Sequence, residues 1–174
     1  MKARIEYPSA SPDALKAMYG LVTFLNHSSI EKKLLHLIDL RVSQINGCAY
    51  CLDMHWKDLK VDGESDQRLY SLDAWRETPF YTDRERAALA WAEAVTLVSE
   101  THVPDDIYEE ARKHFSEKEL VDLTMGVVTI NSWNRLSISF RVVPGTYQPP
   151  KAQQKAQEKS SQEKSGELTG VSST

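Results

Sequence analysis

Apolar residues recur at three- and four-residue intervals along most of this chain, and helix-start and helix-stop signals cut the pattern into segments. Such a chain can bury its apolar stripes only by packing helix against helix, so the expected fold class is all-α. Ser11-Pro12 opens the first helix, with Ser11 as N-cap and Pro12 in the first turn, and it runs to about Leu25. Ser28 or Ser29 opens the second, which carries Ile30, Leu34, Ile38 and Ile45 on one stripe. It ends at Asn46-Gly47, because glycine accepts the left-handed conformation past a helix end. A third is predicted from about Cys48 to Lys60, and Glu64 to Tyr81 reads as a short helical turn and loop. Thr82 with Glu85, and Ser116 with Glu119, have the spacing of capping boxes. The first heads a helix with Ala88, Trp91, Ala92, Val95 and Val98 on one face; the second heads one through Leu120, Leu123, Val127 and Ile130 to near Phe140. Between them, Pro104 starts a helix to about Phe115. No segment reads as a strand, since the β-branched run Val127–Ile130 sits inside a long helical period.

The 174 residues, 41% hydrophobic and 26% charged, suit one domain with a real core, expected over 1–148. From 149 to 174 the composition turns to Lys, Gln, Glu, Ser and Gly, too polar to offset its ordering entropy, and a disordered tail is expected. A net charge of −4 carries no basic excess for nucleic acid or anionic lipid. No apolar run approaches the roughly 20 residues that span a bilayer, so no membrane partner is expected. The N-terminus is polar from Lys2 onward, without the apolar core of a signal peptide, so a cytoplasmic location is the expectation.

Against that background the two cysteines stand out, because they are three residues apart as Cys48-Ala49-Tyr50-Cys51. A structural disulfide across so short a loop constrains the unfolded chain little, which turns attention to redox or metal chemistry. On a helix, Cys51 and His55 are i,i+4 neighbours, and Cys48 falls on the same face. The thiolate is the reactive form, and a free thiol of pKa about 8.5 is mostly protonated at neutral pH. An imidazole one turn away can take that proton or stabilise the anion, and the second thiol can condense with a sulfenic acid before over-oxidation. The helix start favours Cys48 as nucleophile; the i,i+4 histidine favours Cys51. Structural zinc needs four ligands, and His27, His36, His102 and His114 are scattered, so neither metal nor cofactor is expected. A thioredoxin domain would need its CxxC in a βαβ setting, which the helical period excludes.

The joined motif Leu40-Arg-Val-Ser-Gln-Ile-Asn-Gly-Cys-Ala-Tyr-Cys-Leu-Asp-Met-His55 resembles the signature of the AhpD-like superfamily, and more narrowly of proteins grouped as the carboxymuconolactone decarboxylase family. The likeness continues through Ala74–Tyr81, Glu85–Trp91 and Ile130–Leu136. The resemblance implies an AhpD-like helical domain, a homo-oligomer (dimer, trimer or hexamer), and a thiol site near subunit contacts. In the peroxidase branch the cysteine nearer the histidine reacts with peroxide; this maps to Cys51, with Cys48 resolving and His55 in a proton relay. That relay begins with a glutamate twelve residues before the first cysteine, a place held here by His36, which can still shuttle protons. The decarboxylase that lends the family its name typically lacks paired cysteines, so the pair argues against lactone decarboxylation. The expected activity is reduction of a hydroperoxide substrate, renewed by an external dithiol or protein reductant. The alternatives are a general thiol–disulfide reductase or electron adaptor, and a non-enzymatic redox-sensing or oligomerisation module.

Other residues read more plainly. Trp75, Trp91 and Trp133 are expected in the core, and Arg41, Arg76 and Arg135 in solvated or capping roles. Tyr50 should face away from the thiols. Asn131 and Asn134, inside an apolar helix, should bond across helices or near the thiols.

Overall fold

Both predicted capping boxes form: the Thr82 hydroxyl takes the Glu85 N–H, the Ser116 hydroxyl takes the Glu119 N–H, and each glutamate returns a bond to the cap backbone. They head two of the helices in a computed structural model that describes residues 2–150. In chain order the elements are α1 Tyr7–Ala10, α2 Pro12–Asn26, α3 Lys32–Asn46, α4 Ala49–Val61 and α5 Asp66–Tyr70. A 3-10 segment Leu72–Glu77 follows, then α6 Asp83–Thr96, α7 Val98–Thr101, α8 Asp105–His114 and α9 Glu117–Phe140. No strand occurs among the described residues, and no helix is long and apolar enough to cross a membrane.

Helix α3 is the axis of the molecule, packed on α4, α6 and α9. Its apolar residues form two stripes. Leu34, Ile38 and Val42 meet Ala88 and Trp91 of α6 and Leu123, Val127 and Ile130 of α9. Leu37 and Leu40 join Leu59, Leu69, Leu72, Trp75 and Leu89 in a second cluster. A helix buried on both sides is held rigidly along its length, and whatever follows its C-terminus inherits that rigidity.

Polar side chains fix the end of α3 that leads to the cysteines. Asn46 Nδ2 donates to Asn131 Oδ1 at 3.0 Å and to Asn134 Oδ1 at 2.9 Å. Asn134 returns a bond to Ser43 Oγ at 3.1 Å, and Asn131 donates to Thr96 Oγ1 of α6 at 3.0 Å. The two asparagines of α9 therefore bond across helices. Trp75 and Trp91 are buried, and their indole N–H groups donate to Glu93 and Thr124. Arg41 and Arg76 both pair with Glu93, while Arg135 bonds the Asn131 side chain.

The start of α3 differs from expectation. It begins at Lys32, because the Ser29 N–H and hydroxyl are both given to Asp122 of α9, at 2.9 and 2.7 Å. The Lys118 ammonium, donating at 2.6 Å, and these two bonds from Ser29 hold the Asp122 pKa down at about 2. Ser11 caps α2 without a side-chain bond, and the short α1 is an element the pattern does not signal.

After α9 the chain turns at Arg141, in the left-handed region, and residues 142–150 run back along α4 as a strap. The Gly145 N–H donates to Asp53 Oδ2 at 3.1 Å, Lys57 Nζ donates to the Tyr147 carbonyl at 3.1 Å, and the Tyr147 hydroxyl donates to Asp58 Oδ1 at 2.7 Å. Pro149 is buried, so the boundary expected at 149 falls inside this strap. Residues 151–174, most of the expected polar tail, lie outside the described residues.

The approach of α9 to α3 depends on Gly126, where an added Cβ would lie 2.8 Å from Leu35 Cδ2. Leu35 is itself in the core, so Gly126→Ala should destabilise by about 1–2 kcal/mol, measured by denaturant melts with an unchanged m-value.

Candidate active site

Gly47, at φ 67°, ends α3 in the left-handed region, and the Cys48 N–H bonds back to the Ser43 carbonyl at 3.0 Å. The chain turns directly into α4. Cys48 is the N-cap of that helix, not a residue within it: its Sγ accepts the Cys51 N–H at 3.4 Å. The two cysteines are joined by a disulfide, with Cα atoms 5.3 Å apart, and each is 1% exposed. Unpaired amides at a helix N-terminus carry partial positive charge, which favours thiolate over thiol at either sulfur once the bond is reduced.

One turn along α4, His55 lies on the same buried face as Cys51, followed by Leu59. Neither of its ring nitrogens has a hydrogen-bond partner among the described residues. Asp39 of α3 faces it, with Oδ2 3.8 Å from Nδ1, beyond hydrogen-bond reach. Burial lowers the His55 pKa to about 3, and His36 adds to the effect. Asp39 keeps 20% of its side-chain surface accessible, but protein atoms crowd its carboxyl. Burial pushes it up to about 8, with the Asp58 charge second. In the disulfide form the pair is therefore mostly neutral near pH 7.

His36 lies elsewhere in this cluster. Its Nδ1 is 3.3 Å from Asp62 Oδ2, and it lines a cleft of about 110 Å³ with Lys32, Asp58, Val61, Asp62, Pro149 and Pro150. Burial lowers its pKa against the opposing charges of Asp58 and Asp62. Burial raises Asp58, opposed by the Tyr147 hydrogen bond. His36 and His55 thus lie between α3 and α4, His36 facing Asp62 and His55 facing Asp39, while the two cysteines stand at the head of α4. Asp39 is a lone acid in the apolar run Leu34–Leu40, three residues after His36 and outside the place the family resemblance assigns to the relay acid. The strap residue Tyr147 carries no such signal.

A larger cavity of about 450 Å³, bounded by Trp75, Arg86 and His114 among others, shares no residue with this cluster. Among the described residues, no group of three or more His, Cys, Asp or Glu side chains is placed to hold a metal ion.

The raised Asp39 pKa makes a stability prediction. Below the unfolded value near 3.8 both states carry the proton, and there is no penalty. As pH rises toward 8 the unfolded chain releases that proton while the folded chain keeps it, so the wild type loses stability across that window. Asp39→Asn cannot ionise. It should be more stable than wild type at pH 9 by roughly 1–3 kcal/mol, after allowing for its partial exposure, with the gap closing toward pH 4. Melts across pH provide the check.

An all-helical fold with a paired Cys-x-x-Cys at the head of one helix and a buried histidine a turn beyond it defines an AhpD-like protein. The chain belongs to the carboxymuconolactone decarboxylase family, whose model matches residues 10–94. It is 43% identical over 139 residues to the uncharacterized protein YdfG of Bacillus subtilis, spanning 80% of this chain and 95% of that one. It also resembles the crystal structure of an Agrobacterium tumefaciens protein of unknown function whose description suggests an antioxidant defence protein AhpD. That match has a TM-score of 0.81 at 46% identity, over 84% of this chain and all (100%) of the other. An uncharacterized peroxidase-related protein from Ralstonia eutropha, described as an alkylhydroperoxidase AhpD core, shares the fold at TM-score 0.71 and 20% identity, over 80% of this chain and 75% of that one.

Proposed function

We propose that this protein is a thiol peroxidase that reduces hydroperoxides through a cycle between Cys48 and Cys51. The observation that carries the reading is two buried sulfurs joined at a helix N-terminus, with a buried imidazole one turn along the same helix whose ring nitrogens have no hydrogen-bond partner among the described residues. Starting from the reduced pair, His55 takes the Cys51 proton, and the thiolate attacks the terminal peroxide oxygen. The O–O bond breaks, Cys51 becomes a sulfenic acid, and the leaving alkoxide takes a proton from His55 to depart as an alcohol. The Cys48 sulfur then attacks the sulfenic sulfur, forming the disulfide and releasing water. An external dithiol, free or carried by a protein, reduces that disulfide by exchange and is itself oxidised.

The test uses reduced full-length protein and one equivalent of cumene hydroperoxide. Two thiols should be lost for each alcohol formed, with continued turnover only when dithiothreitol is present. Thiols that survive while peroxide decays only at its spontaneous rate would overturn the proposal.

A further inference from the structure

A proton passed from Cys51 to a buried imidazole needs a second acceptor, since a buried imidazolium without a counter-charge is costly. Position 36, where the resemblance expects a glutamate, holds a histidine already turned to Asp62 at 3.3 Å. One turn further along α3, Asp39 presents Oδ2 to His55 Nδ1 at 3.8 Å. With Nδ1 turned to Asp39, Nε2 is the nitrogen left for the thiol proton. We infer that Asp39 is the positioning residue for His55, accepting the Nδ1 proton as Nε2 takes that of Cys51, so that the carboxylate has moved one helical turn from position 36. The inference rests on the peroxidase reading only for the identity of the oxidant.

The proton count closes. Cys51 thiol, neutral His55 and ionised Asp39 become Cys51 thiolate, His55 in its other tautomer and protonated Asp39. When the peroxide bond breaks, the alkoxide takes the Nε2 proton and Asp39 returns its own to Nδ1. Asp39 touches neither sulfur nor peroxide in this scheme; it acts through the ring. A small closing of the 3.8 Å gap brings the two within hydrogen-bond range.

The surroundings suit a proton held and released. His36 acts on His55, and Asp58 acts on Asp39. Lys32 and Asp62 act on His36, and Tyr147 of the strap holds Asp58. Helix α9, also packed on α4, contributes no charge acting on the His55–Asp39 pair. Asp39 must be ionised to accept, so the rate should climb with pH through the region near 8 where its carboxyl titrates.

Two measurements on reduced full-length protein separate the possibilities: kcat/KM for cumene hydroperoxide against pH, and the pH dependence of Cys51 alkylation by iodoacetamide in a Cys48→Ser background. Asp39→Asn should lose about tenfold in both and flatten the alkaline rise; Asp39→Glu should recover most of the loss; His36→Asn should lose less than Asp39→Asn. An Asp39→Asn profile superimposable on wild type, or a greater loss in His36→Asn, would overturn the inference. If Asp39→Asn misfolds by circular dichroism, Asp39→Ser takes its place: a flattened alkaline rise supports the inference, and a wild-type profile overturns it. Should wild type ignore peroxide while alkylation follows this pattern, the peroxidase reading falls and the role of Asp39 stands.

Discussion

Cys51→Ser should reduce dithiol-driven peroxide turnover to below about 0.1% of wild type, because serine supplies no thiolate and the remaining groups have nothing to activate. Cys48→Ser should behave differently. It keeps the attacking sulfur and should consume one equivalent of hydroperoxide at close to the wild-type rate, then stall as sulfenic acid. The contrast follows from the turn itself. Cys48 caps α4 and accepts the Cys51 N–H, so it stands beside Cys51 without being the sulfur one turn from His55. Stopped-flow peroxide consumption distinguishes the two variants. Equal loss of the first turnover in both would mean that Cys48 is not merely the resolving partner.

The second large effect is expected at His55. His55→Gln keeps a side chain of similar reach but cannot move a proton, and kcat/KM should fall by about 100-fold or more. Burial holds the ring neutral in the disulfide form, which keeps it available as an acceptor when a thiol appears beside it. Its contribution to stability has the opposite sense to that of Asp39. A lowered histidine pKa means that the unfolded chain binds the extra proton first. Stability associated with the neutral ring is therefore complete above pH 6.5 and is lost as pH falls toward about 3. His55→Gln should lack that part of the acid loss while losing the activity. A variant with full activity would show that the thiol is activated by the helix N-terminus alone.

Much of this arrangement is legible in the amino-acid order because it is local. The boxes at Thr82 and Ser116, the glycine stop at Gly47, and the phase of Cys51 and His55 each depend on residues within one or two turns. Features that depend on distant partners were not. Ser29 has the residue type of an N-cap, yet it bonds Asp122, 93 positions away, and the helix starts later. Asn131 and Asn134 were readable as buried amides, but only the fold decides that Asn46 is their shared donor. The position twelve residues before Cys48 holds an imidazole, and the carboxyl group facing His55 comes from Asp39, which helix phase alone does not select. The strap is the furthest from legible: nothing in the order of residues 142–150 signals that Tyr147 bonds Asp58 of α4 or that Pro149 is buried.

The most direct measurement is mass spectrometry of the Cys48→Ser protein after a pulse of one equivalent of hydroperoxide, with a dione reagent present to trap sulfenic acid. The adduct should sit on Cys51, form in proportion to peroxide consumed, and diminish sharply when His55→Gln is added. A Cys51 that emerges as unmodified thiol, with the peroxide still in solution, would contradict the account.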